Sequence, residues 1–223
     1  MHTLAPNVLD RQFTATAPNQ KWVADFTYLW TREGWLFLAV VRDLCSRRVV
    51  GWSMQPTMTA QLVTEALTMG IWRRGAIDVL LLHSDRGSPY TSETFQQLLT
   101  QLGITCSMSR AGNVWDNAVM ESFFSTLTTE RTNLKHYATR NAAHADVFDY
   151  IERFYNLLRR HSTLGNISPI AFERAAAVAS LLVHQTRRSS ARSDTQSIRR
   201  RIGGPSVHFS PVILCNLTLM LTK

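Results

Sequence analysis

The hydrophobic period first changes along this chain between residues 54 and 59, and that change limits the fold more than any other feature. Before it, apolar residues alternate with period two. Trp22, Ala24, Phe26 and Tyr28 face one way, and Val23, Asp25, Thr27 and Leu29 the other, which predicts a strand over Trp22–Leu29. Thr31 to Gly34 supply a turn, Trp35–Val41 a second strand and Val49–Met54 a third. After the change the spacing is helical. Thr59 is placed as an N-cap for Leu62, Val63, Ala66, Leu67 and Ile71, with Gly75 as the stop. Val79–Leu82 reads as a short buried strand. Ser92 to Gly103 reads as a helix, Ile104–Met108 as a fifth strand, and Met120, Phe123, Phe124 and Leu127 mark another helix. Ala142–Leu158 and the segment opened by Ser168 and Pro169, running to about Val183, complete the helices. The order β-β-β-α-β-α-β-α-α-α predicts an α/β fold, a five-stranded mixed sheet with helices on both faces.

Three acids stand out from this pattern. Asp25 lies in mid-strand, where carboxylates are disfavoured. Asp85 follows the carboxyl end of a different strand, the end at which open sheets bind ligands. Glu121 lies near the start of a helix, one residue off its apolar stripe. Three carboxylates converging there would repel one another unless a divalent cation neutralised them, and hard oxygen ligands suit magnesium or manganese. Taken singly, each acid reads equally as a surface residue or a helix cap.

The segments around these acids carry a resemblance. Residues 22–28 (WVADFTY), 83–88 (HSDRGS) and 115–124 (WDNAVMESFF) resemble the catalytic signatures of bacterial insertion-sequence transposases, members of the retroviral-integrase-like DDE superfamily. The 35 residues between Asp85 and Glu121 match its spacing. Phe154-Tyr155-Asn156, Arg159 to Gly165 and Ser168-Pro169 resemble the end of the family's catalytic region, so the likeness covers about residues 5–175. It implies an RNase H-like fold in which Asp25, Asp85 and Glu121 hold two Mg²⁺ (or Mn²⁺) ions for phosphodiester cleavage and strand transfer. DNA is the implied partner, bound by a homo-oligomer in the cytoplasm.

Supporting groups are less distinctive. His83 and Arg86 flank Asp85 and are candidates for phosphate contact, a solvent-facing loop being the other reading. Asn117 is a candidate DNA contact or an N-cap. Arg159, Arg160 and His161 form a basic cluster at a helix end, read as a DNA contact or as compensation of the helix dipole. Several positions depart from the family pattern. Thr128 and Ala111 stand where lysines are usual, Leu157 and Leu158 where polar or basic residues are, and only about 20 residues precede the first strand. These departures suggest a partial or degenerate copy. The alternatives are a catalytically weak DNA-binding subunit that modulates an intact transposase, or a nuclease on the same fold.

The net charge of +8 adds less than it promises, because residues 185–201 hold six arginines and one aspartate. The expected organisation is a leader or linker over residues 1–20, a catalytic core over 21–183, and a basic, disordered tail over 184–223. Three scattered cysteines argue against a disulfide framework or zinc module. The apolar run Pro211–Met220 is too short to span a membrane.

Overall fold

In a computed structural model, which describes residues 4–75 and 77–179, five strands form one sheet in the order β3-β2-β1-β4-β5. Strands β1 (Lys21–Thr31), β2 (Gly34–Asp43) and β3 (Val49–Gln55) form an antiparallel meander. Helix α1 (Ala60–Arg74) crosses over to β4 (Leu81–Ser84), which pairs in parallel with Lys21–Val23 of β1. A single turn α2 (Ser88–Thr91) and helix α3 (Glu93–Gln101) lead to β5 (Thr105–Met108), parallel to β4. Helix α4 (Ala118–Leu127) widens into a π-turn over Thr128–Thr132. Helix α5 (Arg140–Phe148) widens likewise over Asp149–Tyr155. A last helix, α6, covers residues 169–179.

Strand alternation sorts the core onto two faces. Val23, Leu29, Leu38 and Val40 pack against Met120 and Phe123 of α4 and Val147 of α5. Trp22, Ala24, Ala39 and Val41 pack against Leu62, Ala66 and Leu67 of α1 and Phe95 and Leu99 of α3. Each of these larger side chains, once buried, contributes about 1.5–3 kcal/mol. Helix α1 lies unusually close to β3: a Cβ on Gly51 would stand 2.0 Å from the Ala66 carbonyl oxygen. Asp25 shares its face with Val23 and Leu29, so it points toward α4.

Several sequence expectations shift. The fourth strand starts two residues later than its apolar run and takes in His83 and Ser84, because β5 supplies hydroxyl partners for the imidazole. The long helix expected over Ala142–Leu158 starts earlier, where the Thr139 hydroxyl accepts the Ala142 N–H, and changes to π geometry after Phe148. The segment before β1, read as leader or linker, packs on the core. Leu9 is buried, and the Val8 and Leu9 N–H groups donate to the Ser107 hydroxyl at 2.9 and 3.0 Å. The expected boundary at 183 and the basic tail lie outside the described residues.

Candidate functional site

Three elements deliver the three acids to one place. Asp25 comes from the middle of β1, Asp85 from the turn after β4, and Glu121 from the first turn of α4. Together with Arg86, Gly87, Arg110, Asn113 and Asn117 they line a cleft of about 390 Å³. The backbone at Gly87, φ −58° and ψ 149°, is one that any residue adopts, so the exit from β4 does not need a glycine. The Gly87 N–H donates to Asp85 Oδ1 at 3.0 Å, and a Cβ there would sit 3.1 Å from the same oxygen.

The electrostatics are unbalanced. Burial pushes the Asp25 carboxyl up to about 7, the Phe26 N–H opposes this, and the charges of Asp85 and Glu121 add to it. Burial also raises Asp85, against the Gly87 N–H. Among the described residues none of the three carboxylates forms an ion pair. Nor are any three of His, Cys, Asp and Glu gathered closely enough to form a ready-made metal cage. The donor set, three carboxylates with free oxygens on one cleft wall, nonetheless has the hard-oxygen chemistry that suits Mg²⁺ or Mn²⁺.

The cleft is held by two buried charges, Arg42, which the sequence does not single out, and Asp116, which reads there as a candidate helix cap. Arg42 of β2 donates to the Val119 carbonyl at 2.9 Å and lies about 6 Å from the Phe123 and Tyr155 ring centroids, which fixes the start of α4. Its signal was a charge ending an unbroken apolar strand. Asp116 accepts from the Arg110 side chain and backbone, Arg11 Nε and Asn7 Nδ2, all within 3.0 Å. The Arg110 hydrogen bond, ahead of the other contacts, holds its carboxyl well below the usual range.

The expected DNA contacts divide. Arg86 is exposed on the cleft wall without an ion-pair partner among the described residues. Asn117 also lines the cleft. Only 6 % exposed, it has no hydrogen-bond partner for either amide atom and makes no side-chain cap. His83 does not face the cleft. It is fully buried, with Nδ1 2.8 Å from the Ser107 hydroxyl and Nε2 3.1 Å from Ser109, so the expectation of phosphate contact gives way to a packing role. Burial pushes its imidazole down to about 4. Arg159 is engaged by Glu130 through Nε and Nη2, at 3.0 and 2.8 Å. His161 packs edge-on against Tyr155, while Arg160 is exposed; these three lie outside the cleft that holds the three acids. Thr128 and Ala111 are both exposed, Ala111 on the cleft itself.

Comparison with known proteins bears on the family and the fold. The Integrase core domain model matches residues 15–114, and a second Integrase core domain model matches residues 102–169. The chain is 49 % identical over 170 residues to Transposase InsF for insertion sequence IS3A of Escherichia coli (strain K12), covering 76 % of this chain and 59 % of that protein. It is 46 % identical over 169 residues to the transposase for insertion sequence element IS904 of Lactococcus lactis subsp. lactis (strain IL1403), covering 76 % of this chain and 67 % of that protein. Among solved structures, the HTLV-2 integrase catalytic core domain in complex with magnesium superposes with a TM-score of 0.53 at 18 % identity, covering 72 % of this chain and 99 % of that one. A chain of the simian T-cell lymphotropic virus intasome gives 0.57 at 19 %, covering 78 % and 59 %. These likenesses establish the fold as RNase H-like.

Proposed function

The chain belongs to the bacterial insertion-sequence transposases with an integrase catalytic core, and from that premise we propose that its cleft carries out metal-dependent cleavage and strand transfer of DNA. The supporting observation is that Asp25, Asp85 and Glu121 line one cleft with no cationic side chain paired to them among the described residues. Asp25, Asp85 and Glu121 would hold two Mg²⁺ (or Mn²⁺) ions. When bound, these would supply Lewis-acid activation of the attacking oxygen and stabilise the leaving oxygen.

The chain's own groups position the DNA. Arg86 meets a phosphate oxygen from the wall, and the Asn117 amide donates to a substrate oxygen that replaces its missing partner. Arg42 and the Asp116 cluster keep α4 and the 110–117 loop in register while the phosphate is exchanged. The bond from the attacking oxygen to phosphorus forms as the bond to the leaving oxygen breaks. No covalent protein intermediate is needed.

The chain spans about 59 % of the length of the E. coli relatives it matches. Sequence-specific end recognition, a homo-oligomer on DNA and mixed assembly with an intact transposase accordingly belong to this proposal. Among the described residues no helix is long and apolar enough to cross a membrane. The test uses the purified chain, Mn²⁺, and a duplex carrying the terminal repeats of an insertion sequence of this family. Cleavage followed by 3′-end joining is expected, and Asp85→Asn should reduce it by at least ~10²-fold, the scale of losing one transition-state stabiliser. Cleavage alone would make the chain a nuclease, and binding without cleavage a non-catalytic subunit.

A further inference from the structure

A second pocket, also of about 390 Å³, lies along the two elements that carry the catalytic acids. It is lined by Tyr28, Trp30 and Arg32 from β1 and just beyond, by Thr128 at the end of α4, and by His136 and Tyr137. Tyr28 and Trp30 alternate with Asp25 and so point to the opposite face of β1, three to five residues (roughly 10–17 Å of extended chain) farther along, and the pocket meets them at the strand's edge. Glu121 is seven residues from Thr128, roughly 10 Å of helix.

Three features of this pocket point to one kind of ligand. First, Tyr28 and Trp30 are 61 % and 60 % exposed, large aromatic surfaces that a closed core would not leave bare. Trp35 braces both rings edge-on, with centroid distances of 4.9 and 4.7 Å. Second, past Val23 strand β1 pairs with β2 alone until the bridge from Thr31 to Tyr137, so one edge of its backbone is open beside the pocket. Third, Arg32 and His136 are exposed and form no ion pair among the described residues, whereas neighbouring Lys135 is held by Asp146. Stacking faces, an open polar edge and uncommitted basic side chains together suit a nucleobase with its phosphate.

We propose that this pocket is a base-binding subsite: it takes an unpaired nucleobase of the DNA strand leaving the catalytic cleft, roughly three to five base steps (at 3.4 Å each) from the reacting phosphate. Tyr28 and Trp30 stack the base, and Arg32 and His136 hold its phosphate. The subsite rests on the DNA-cleaving reading above, because the catalytic cleft sets its distance from the phosphate. It selects frayed or single-stranded ends over fully paired ones.

The experiment measures equilibrium binding of the full chain to two oligonucleotide probes in EDTA. One is a blunt duplex and the other the same duplex with a four-nucleotide single-stranded end containing 2-aminopurine. The expected result is about 5- to 10-fold tighter binding of the overhang probe with quenched 2-aminopurine fluorescence, the low end of the range for stacking one base on an aromatic side chain. Trp30→Leu should remove both the preference and the quenching, and Arg32→Ala should weaken the overhang probe more than the blunt one. Both residues are exposed, and circular dichroism checks that each variant is folded. Equal preference in wild type and Trp30→Leu overturns the subsite and leaves the DNA-cleaving reading intact. Failure to bind either probe overturns both. A change of oligomeric state in Trp30→Leu without a change in DNA preference assigns the aromatic patch to a chain–chain contact and overturns the subsite.

Discussion

Asp25 and Asp116 contribute to one cleft and its supporting loop, yet their surroundings are opposite. Asp116 is fully buried and surrounded by donors: two arginines, an asparagine and a backbone N–H. Asp25 has one N–H, that of Phe26, and two neighbouring carboxylates. The first carboxyl is held far below its ordinary range and the second is pushed up to about 7. An acid that holds the fold together is satisfied by the chain itself. An acid that serves a ligand is left unsatisfied and costs stability until the ligand arrives.

Breaking the satisfied acid should have the larger effect. Asp116→Asn removes the charge that ties the segment before β1, through Asn7 and Arg11, to the loop after β5. A loss of about 2–4 kcal/mol is expected in urea denaturation, less than for a fully enclosed pair because the arginines reach solvent. Amide exchange across residues 110–117 should quicken as well. A loss below about 0.5 kcal/mol would show that the cluster is not a structural tie.

Neutralising the unsatisfied acid should act in the other direction. In EDTA at pH 8, Asp25→Asn should stabilise the protein by about 1–3 kcal/mol, since it removes a charge that burial and two like charges disfavour. The sign follows from linkage. Asp25 has a raised pKa in the folded state, so its contribution is most favourable below pH 4 and is lost as pH rises to about 7. The difference between variant and wild type should therefore be absent near pH 4 and complete near pH 8. Mg²⁺ should shrink it, because the ion stabilises the wild-type carboxylate more than the amide. A difference that stayed constant from pH 4 to pH 8 would mean that Asp25 carries no such burden.

The contrast also explains what the sequence reveals. Asp25 breaks an alternating strand and is visible from its own neighbours, whereas Asp85, past a strand end, and Glu121, off a helix stripe, stand out only in their order and spacing; the strand and helix order follows from the apolar patterns themselves. The partners of a polar residue are not visible in that way. Ser107 and Ser109, which satisfy His83, lie 24 and 26 residues away, and Glu130, which satisfies Arg159, lies 29 away. Asn7 and Arg11 reach Asp116 across more than 100 residues. Only the folded chain separates a basic residue already paired from one still available to DNA. The π-turns after α4 and α5 escape for a related reason: a slow drift in helical period leaves the spacing of apolar residues almost unchanged over one or two turns.

The smallest effect tests whether the surface between the two pockets follows a DNA strand. Thr128 is exposed, two helical turns beyond Glu121, and contributes to the aromatic pocket. A lysine there places a cation between the carboxylate cleft and the open edge of β1. Thr128→Lys should tighten binding of a short duplex a few-fold at low salt and steepen the dependence of log K on log salt by about 0.9, the value for one added phosphate contact. A tighter complex with an unchanged salt slope would mean that the lysine acts on the protein rather than on the DNA. An unchanged affinity would place the strand on another path out of the cleft and would restrict the Asp25 side of the comparison to the immediate neighbourhood of the three acids.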